Sequence, residues 1–581
     1  MKHFNLKKPE VIRSNFRFST LSFLFIIFYV NAFQLIFGPE NSIVGVIFTI
    51  MMSASMARDL TATPFRHFVI QAVVLIWMAL AAYGVVSLPA PLSLCINFIT
   101  LLLILYAFTY EYSTHLYFPY ILSYLFLIFI SPVSAQQLPK RLLAMLAGAL
   151  SIILYQWFMG RNRVVETARD VLTEMIDEVC KACSYKMGVT SDHADTVEMR
   201  RKLCSLGHTV YDRRKSVFSI SDASFSMIAA GRGLEHLLAL IEELPDGISD
   251  KEKALLIHIS GQLEIYRDFL QQKTGSLPPV DEHIFISGEN NKAYRLFYKD
   301  LAYTRDRLLH MTDPKNKIHY KKTALSLRVR LETALDFSPL RAVYALRTAL
   351  LLSLATLLVQ TMALPHGKWL LFTLASVSLP YADDVPVKIK KRLLATMIGG
   401  LVSVLIYGLV PWSGGRTAAM MLSGYISFYF SDYSQTFACS TIGALGGAVF
   451  MSTFGLHDVG MMFLIRCGYV LAGAFGGYLI NCLAFPYKRT HATKQLWKKY
   501  TAVTNLLTEI CQEEQLDFQL YYHLVIQAYM LEEKLAQNAQ LEEWKEFPQL
   551  LSQYQEKIRR AHRKLIAGRM GAPVFDASHL V

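Results

Sequence analysis

The sequence predicts an all-α membrane protein: two homologous six-helix transmembrane blocks, about 12 spans, with a cytoplasmic helical bundle between and after them. Three observations carry this. Hydrophobic residues are 53% of the 581, and they concentrate in two blocks near 18–160 and 341–486. The stretches between and after the blocks are as charged as soluble proteins and carry apolar stripes at helical spacing. Matching features recur in the two blocks at one nearly constant offset.

Runs such as Phe18–Phe37 and Pro91–Thr109 are long and free of charge, as expected of helices that cross a bilayer with about 17–25 residues. Six spans fit each block: 18–37, 43–57, 66–87, 92–109, 116–134 and 141–159, then 343–362, 369–382, 392–410, 417–430, 434–454 and 462–485. Val30-Asn31-Ala32 resembles a signal-peptide cleavage site. The leader and apolar core are longer than a cleaved signal's, so a retained first helix is expected. The domains are therefore 1–160, 161–340, 341–486 and 487–581.

Charge orients the spans. With the N-terminus inside, seventeen Lys and Arg lie at cytoplasmic edges, among them Arg58, Arg66, Arg341, Arg347, Lys388, Lys391 and Arg392. The outer edges carry only Lys140, Arg141, Lys368, Arg416 and Arg466. The positive-inside rule then places both termini and the middle domain in the cytoplasm. The net charge of +13 flanks spans and forms no basic-aromatic module, so no nucleic acid partner is expected.

Between the blocks, Val164, Val165, Ala168, Val171, Leu172, Met175, Ile176 and Val179 form a helical stripe, and further stripes follow near 223–244, 251–273 and 291–311. Leu244-Pro245-Asp246-Gly247 and Gly275-Ser276-Leu277-Pro278-Pro279 separate them. The tail from 490 adds two or three helices to the same bundle, and the last ten residues read as disordered. Eight scattered cysteines argue against a disulfide framework. Cys180, Cys183, Cys204 and His208 have zinc-like spacings, but reduced cysteines on the faces of a helical bundle account for them better, and no metal or cofactor is expected. Phosphate-loop, zinc-protease and nucleophile-elbow signatures are missing from the sequence, so it reads as no enzyme.

The repeat is the most informative feature. Phe48-Thr49 recurs as Phe372-Thr373, an offset of 324, and Glu111-Tyr112-Ser113 recurs as Asp432-Tyr433-Ser434, an offset of 321. Arg66 and Arg141 correspond to Arg392 and Arg466, at 326 and 325. Within the blocks, Arg-x6-Gly occurs at Arg141/Gly148, Arg392/Gly399 and Arg466/Gly473, with Val73 at the glycine position after Arg66. This suggests a three-span unit used four times. Three is odd, so neighbouring units point opposite ways, as in inverted-repeat transporters. The second and eighth spans are short, and the eighth is broken at Pro380. Such spans mark substrate sites in inverted repeats, with Thr49 and Thr373 as hydroxyl partners. Small residues there also serve close packing, as do the Gly-x3-Gly runs at 443–447 and 473–477.

Together these features resemble the fusaric acid resistance-like (FUSC) superfamily, which includes the aromatic acid exporters. The best-matching stretch is Arg341–Pro486, with Arg347, His366-Gly367-Lys368-Trp369, Pro380, Arg392 and Gly399. Pro132, Arg141 and Gly148 repeat part of the pattern, but the first block has no equivalent of Trp369. The resemblance implies a bacterial plasma (inner) membrane protein, a secondary exporter of small organic anions such as aromatic carboxylates. Plant aluminium-activated malate channels are similar, so an anion channel is the alternative, and a scaffold or sensor working through the helical domain is a third. Two blocks would act as a built-in dimer, and a homodimer of the chain is also compatible.

An anionic substrate needs positive charge in the membrane, where arginine costs about 2.5–3.5 kcal/mol on insertion scales. Arg66, Arg141, Arg392 and Arg466 are the candidate anion ligands, since guanidinium grips carboxylate bidentately. Snorkelling to lipid phosphates is their other role. Trp369 joins Thr49 and Thr373 in the candidate binding set. Glu111 and Tyr112, with Asp432 and Tyr433, are candidates for coupling or gating, and helix capping is the alternative for the acids.

Overall fold

The computed structural model describes residues 9–56, 63–109, 116–160, 163–213, 218–245, 247–281, 291–313, 315–316, 319–320, 325, 338–410, 412–430, 432–450, 456–513 and 515–569. Its regular structure is helical. The first block gives α1 (Pro9–Phe37), α2 (Ser42–Ser55), α3 (Pro64–Ser87), α4 (Ala90–Phe108), α5 (Tyr117–Phe129) and α6 (Leu138–Gly160). The middle region gives α7 (Arg163–Lys186), α8 (Thr196–Arg213), α9 (Asp222–Glu242), α10 (Asp250–Leu270) and α11 (Asn291–Thr312). The second block gives α12 (Pro339–Thr361), α13 (Lys368–Val377), α14 (Val385–Leu409), α15 (Ser413–Ser427), α16 (Tyr433–Phe450) and α17 (Leu456–Tyr478), which runs into a π-helical turn at Leu479–Ala484. The tail gives α18 (Arg489–Ile510), α19 (Phe518–Leu541) and α20 (Phe547–Arg569).

Seven helices among the described residues are long and apolar enough to cross a membrane: α1, α3, α4, α6, α12, α14 and α17. The chain is a multi-pass membrane protein. α5 and α13 are apolar but shorter. α13 has only 10 residues, about 15 Å at 1.5 Å per residue against about 30 Å of hydrocarbon. It stops at Ser378, extended at φ −73° and ψ 110°, two residues before Pro380, whose ring disfavours helical conformation at Leu379. The carbonyls freed by that break are covered from α12. Tyr344 Oη donates to Ser378 O at 3.2 Å, and Arg347 donates to the carbonyls of Leu379, Pro380 and Phe485.

The chain forms two compact units, Met1–Ala57 with Phe65–Tyr155 and Phe337–His491, and Arg58–Pro64 with Gln156–Asp336 and Ala492–Val581. In the first unit the blocks exchange contacts reciprocally. α1 packs on α15, where Thr20 Oγ1 lies 2.9 Å from Tyr425 Oη, and α12 packs on α4, where the Arg341 guanidinium lies 4.4 Å from the Tyr106 ring centre. The first helix of each block thus meets the fourth helix of the other, as a duplicated pair related by a two-fold would.

In the second unit α9 is buried along its length, with α7, α8 and α11 around it. The stripe on α7 that the sequence predicted faces inward: Ala168, Leu172, Met175, Ile176 and Val179 are buried. α8 had no predicted stripe, because its mean composition is polar, and its packing depends on a few residues such as Leu203 and Leu206. Arg200 joins the middle region to the tail: it holds Glu532 of α19 through two bonds of 2.6 and 2.7 Å, and Glu235 of α9 at 2.8 Å. Cys204 Sγ lies 4.0 Å from Glu532, and His208 pairs with Glu533 at 2.5 Å. Among the described residues no group of three or more His, Cys, Asp or Glu is placed to hold a metal. The expected disorder of the last ten residues lies outside the described residues.

Candidate functional site

Two copies of one constellation occupy the second block. On α17, Arg466 is followed seven residues later by Gly473; on α14, Arg392 is followed by Gly399. A Cβ on Gly473 would lie 2.9 Å from Thr373 Cβ and 3.1 Å from Leu370 O on α13. On Gly399 it would lie 2.8 Å from Thr441 Cβ and 2.5 Å from Ala438 O on α16. Both glycines therefore admit another backbone where no other residue fits. Thr373 donates to Trp369 O at 2.8 Å, and Thr441 donates to Phe437 O at 3.0 Å. The rings four residues before those threonines face the arginines: the Arg466 guanidinium carbon is 5.2 Å from the Trp369 centroid, and that of Arg392 is 3.4 Å from Phe437. Arg-x6-Gly on one helix and aromatic-x3-Thr on its neighbour recur 74 and 68 residues apart.

The copies are inverted. Gly400 of α14 meets Phe463 of α17, while Met397 lies 3.9 Å from Cys467, so the contact runs backwards along one helix as it runs forwards along the other. This also fixes depth. Arg466 is ten residues into α17 and level with Met397, twelve residues into α14. Within the span Asp458–Ala484 it lies eight residues, about 12 Å, from one end and eighteen residues, about 27 Å, from the other, so it is inside the span and nearer its start.

Arg466 is 4% exposed and Arg392 is 2% exposed. Among the described residues, Arg466 Nε and Nη1 and Arg392 Nε have no hydrogen-bond partner. Among the described residues, the polar contact of the Arg392 guanidinium is a long bond to Tyr433 Oη, 3.5 Å. The two lie on helices that pack together, with Met397 of α14 against Cys467 of α17. Cation–π contact stabilises each by about 0.5–2 kcal/mol, which is less than a desolvated guanidinium costs. A row of cations leads away from Arg392. Lys388, one turn earlier, lies 3.3 Å from the Tyr433 ring centre, and Lys391 pairs with Asp432 at 2.8 Å.

Residues 354–480 match the family model described as fusaric acid resistance protein-like. The match covers 127 of the 581 residues and shows what this segment is similar to. Both arginines, both glycines and both aromatic-threonine pairs fall inside the fusaric acid resistance-like segment. No curated protein and no solved structure matches the chain.

The other sequence candidates sit elsewhere. Arg141 is fully buried but saturated: Nε donates to Asn41 Oδ1 at 2.6 Å, Nη2 to Glu40 O at 2.8 Å and to Ser131 Oγ at 2.9 Å, and Nη1 to Ser131 O at 3.2 Å. It binds the start of α2 to the end of α5. Arg66 lies exposed in the first turn of α3. Thr49 donates to Val46 O on its own helix, at 2.8 Å. Asp432 accepts from the Ser434 N–H at 2.9 Å as well as from Lys391. Those two bonds, Lys391 first, hold its carboxyl down at about 2. Glu111 and Tyr112 lie outside the described residues. Phe437 and Thr441 were not among the sequence candidates, and an alignment of 369–373 with 437–441 would have found them.

Proposed function

We propose that the chain is a secondary exporter of small organic anions, of the aromatic carboxylate type, and that the second block holds the anion between Arg392 and Arg466. The observation that carries this is a pair of desolvated guanidiniums faced by rings and by no carboxylate among the described residues. A buried charge without a counter-ion is costly unless an anion completes it. A carboxylate between the two would supply bidentate hydrogen bonds and cancel their mutual repulsion. An aromatic body would lie against Trp369 and Phe437.

The inverted copies provide two related half-sites, so opening one side resembles opening the other in reverse. The enclosure of Arg466 favours a carrier that alternates over a permanently open channel. With the N-terminus inside the cell, Lys388 and Lys391 gather anions at the cytoplasmic mouth, and the membrane potential drives an anion outward. The test is labelled benzoate flux in proteoliposomes under an imposed potential. R392Q and R466Q should each lose it, and flux equal to wild type in both would overturn the reading.

A further inference from the structure

Arg466 shares its indole with a second ring. The His366 imidazole stacks on Trp369 with centroids 5.0 Å apart and planes 16° from parallel. In the other copy the second ring is Tyr433, 5.3 Å from Phe437 and tilted 31°, and Ser434 takes the place of His366, so the imidazole belongs to the Arg466 copy alone. His366 is held in a left-handed conformation, φ +59°, which a residue with a side chain rarely adopts. The segment is fixed from several sides. Gly367 sits so close to Val359 that a Cβ would come 2.5 Å from it, the Trp369 N–H donates to His366 O at 3.0 Å, and the Tyr469 hydroxyl of α17 donates to Pro365 O at 2.8 Å.

His366 is half-buried, so protons reach it. Among the described residues, the charge that acts on it is Lys368 on its own segment, while Arg466 of α17 faces the same indole and the Tyr469 hydroxyl binds the neighbouring Pro365 carbonyl. Burial first, and then the Lys368 charge, hold the imidazole below its ordinary value near 6.5. With the site empty, both causes favour the neutral ring. An anion on Arg466 reverses the local field and favours the protonated ring. Linkage is reciprocal, so a proton on the ring must tighten the anion by the same factor.

We propose that His366 is a proton-dependent positioning residue of the Arg466 anion site, so that anion and proton occupy this side of the site together. This rests on Arg466 being an anion ligand, and the experiment separates the two claims. Full-length protein in zwitterionic nanodiscs is titrated calorimetrically with benzoate between pH 5 and 8, where benzoate stays ionised. Wild-type affinity should rise about tenfold from pH 8 to pH 5. H366F, which keeps a stacked ring without a charge, should show the pH 8 affinity throughout, and H366K the pH 5 affinity throughout. H366F with the full pH slope overturns the proposal and leaves the anion site standing. No saturable wild-type binding, or R466Q binding like wild type, overturns the anion site itself. Should the variants fold poorly, the His366 ring titration in wild type decides by NMR: saturating benzoate should move its midpoint up by about one pH unit, and an unmoved midpoint overturns the coupling.

Discussion

In the first block Arg141 directs its donors to Asn41, Glu40 O and Ser131, all within its own block. In the second block Arg466, at the matching place 325 residues on, faces an indole and leaves two nitrogens without a partner among the described residues. One position decides much of this. Trp369 corresponds to Gly45, and a Cβ on Gly45 would already lie 3.2 Å from Phe33 Cβ of α1. A ring cannot stand there, so Arg141 has turned to the loop carbonyls and become a clamp. The two matching arginines thus differ in role: Arg141 ties two helix ends together, and Arg466 keeps nitrogens without a partner among the described residues.

The sharpest way to break that contrast is to remove both side chains and measure stability and flux together. R141Q should lower stability by about 1–3 kcal/mol, because it leaves the buried Asn41 side chain and the carbonyls of Glu40 and Ser131 without their donor. Thermal unfolding in detergent would report it. R466Q should do the reverse: an equal or higher melting temperature, since a desolvated charge is gone, with benzoate flux down about 100-fold for one lost charge-assisted contact of about 3 kcal/mol. A stable, flux-dead R141Q beside an unstable R466Q would refute the division of labour.

Much of the fold was legible because it depends on short-range pattern. Runs such as Phe18–Phe37 and the stripe on α7 declare their helices from composition and spacing alone. The Arg-x6-Gly motif was legible for the same reason, as it lies on one helix. Its partner was not. Trp369 and Thr373 meet Arg466 and Gly473 only across a helix interface, and sequence spacing carries no information about which helices touch. Saturation of Arg141 was hidden likewise, because two of its acceptors are backbone carbonyls, which every residue offers. The broken end after α13 misled in a related way: Pro380 correctly marked the unwinding, but Tyr344 and Arg347 had to be seen in place before its carbonyls could be counted as occupied.

A smaller effect sharpens the comparison between the two inverted copies. G399A forces a methyl 2.5 Å from a backbone oxygen, whereas G473A meets Thr373 Cβ at 2.9 Å and Leu370 O at 3.1 Å. Overpacking costs about 1–3 kcal/mol, and backbone cannot step aside as a side chain can. G399A should therefore fall near the upper end and G473A near the lower. Thermal unfolding of the two variants checks the order, and a reversed order would mean that the helix pairs α14–α16 and α13–α17 are not equivalent seats.

The smallest effect distinguishes the two mouths. Asp432 is held at about 2 by Lys391 and then by the Ser434 N–H. A depressed carboxylate contributes stability that is fully present above its unfolded value near 4 and is lost as pH falls toward 2. Across pH 5 to 8 it stays ionised, so it has no proton to give or take. The pair is also open to solvent, with Asp432 35% and Lys391 42% exposed, which limits it to about 0.2–1 kcal/mol. D432N should lower the melting temperature slightly and scale benzoate flux by one factor at every pH, leaving the profile's midpoint in place. H366F, at the other mouth, should flatten that profile. If D432N moved the midpoint, the proton would enter beside Arg392 and not beside Arg466, and the two copies would have exchanged roles.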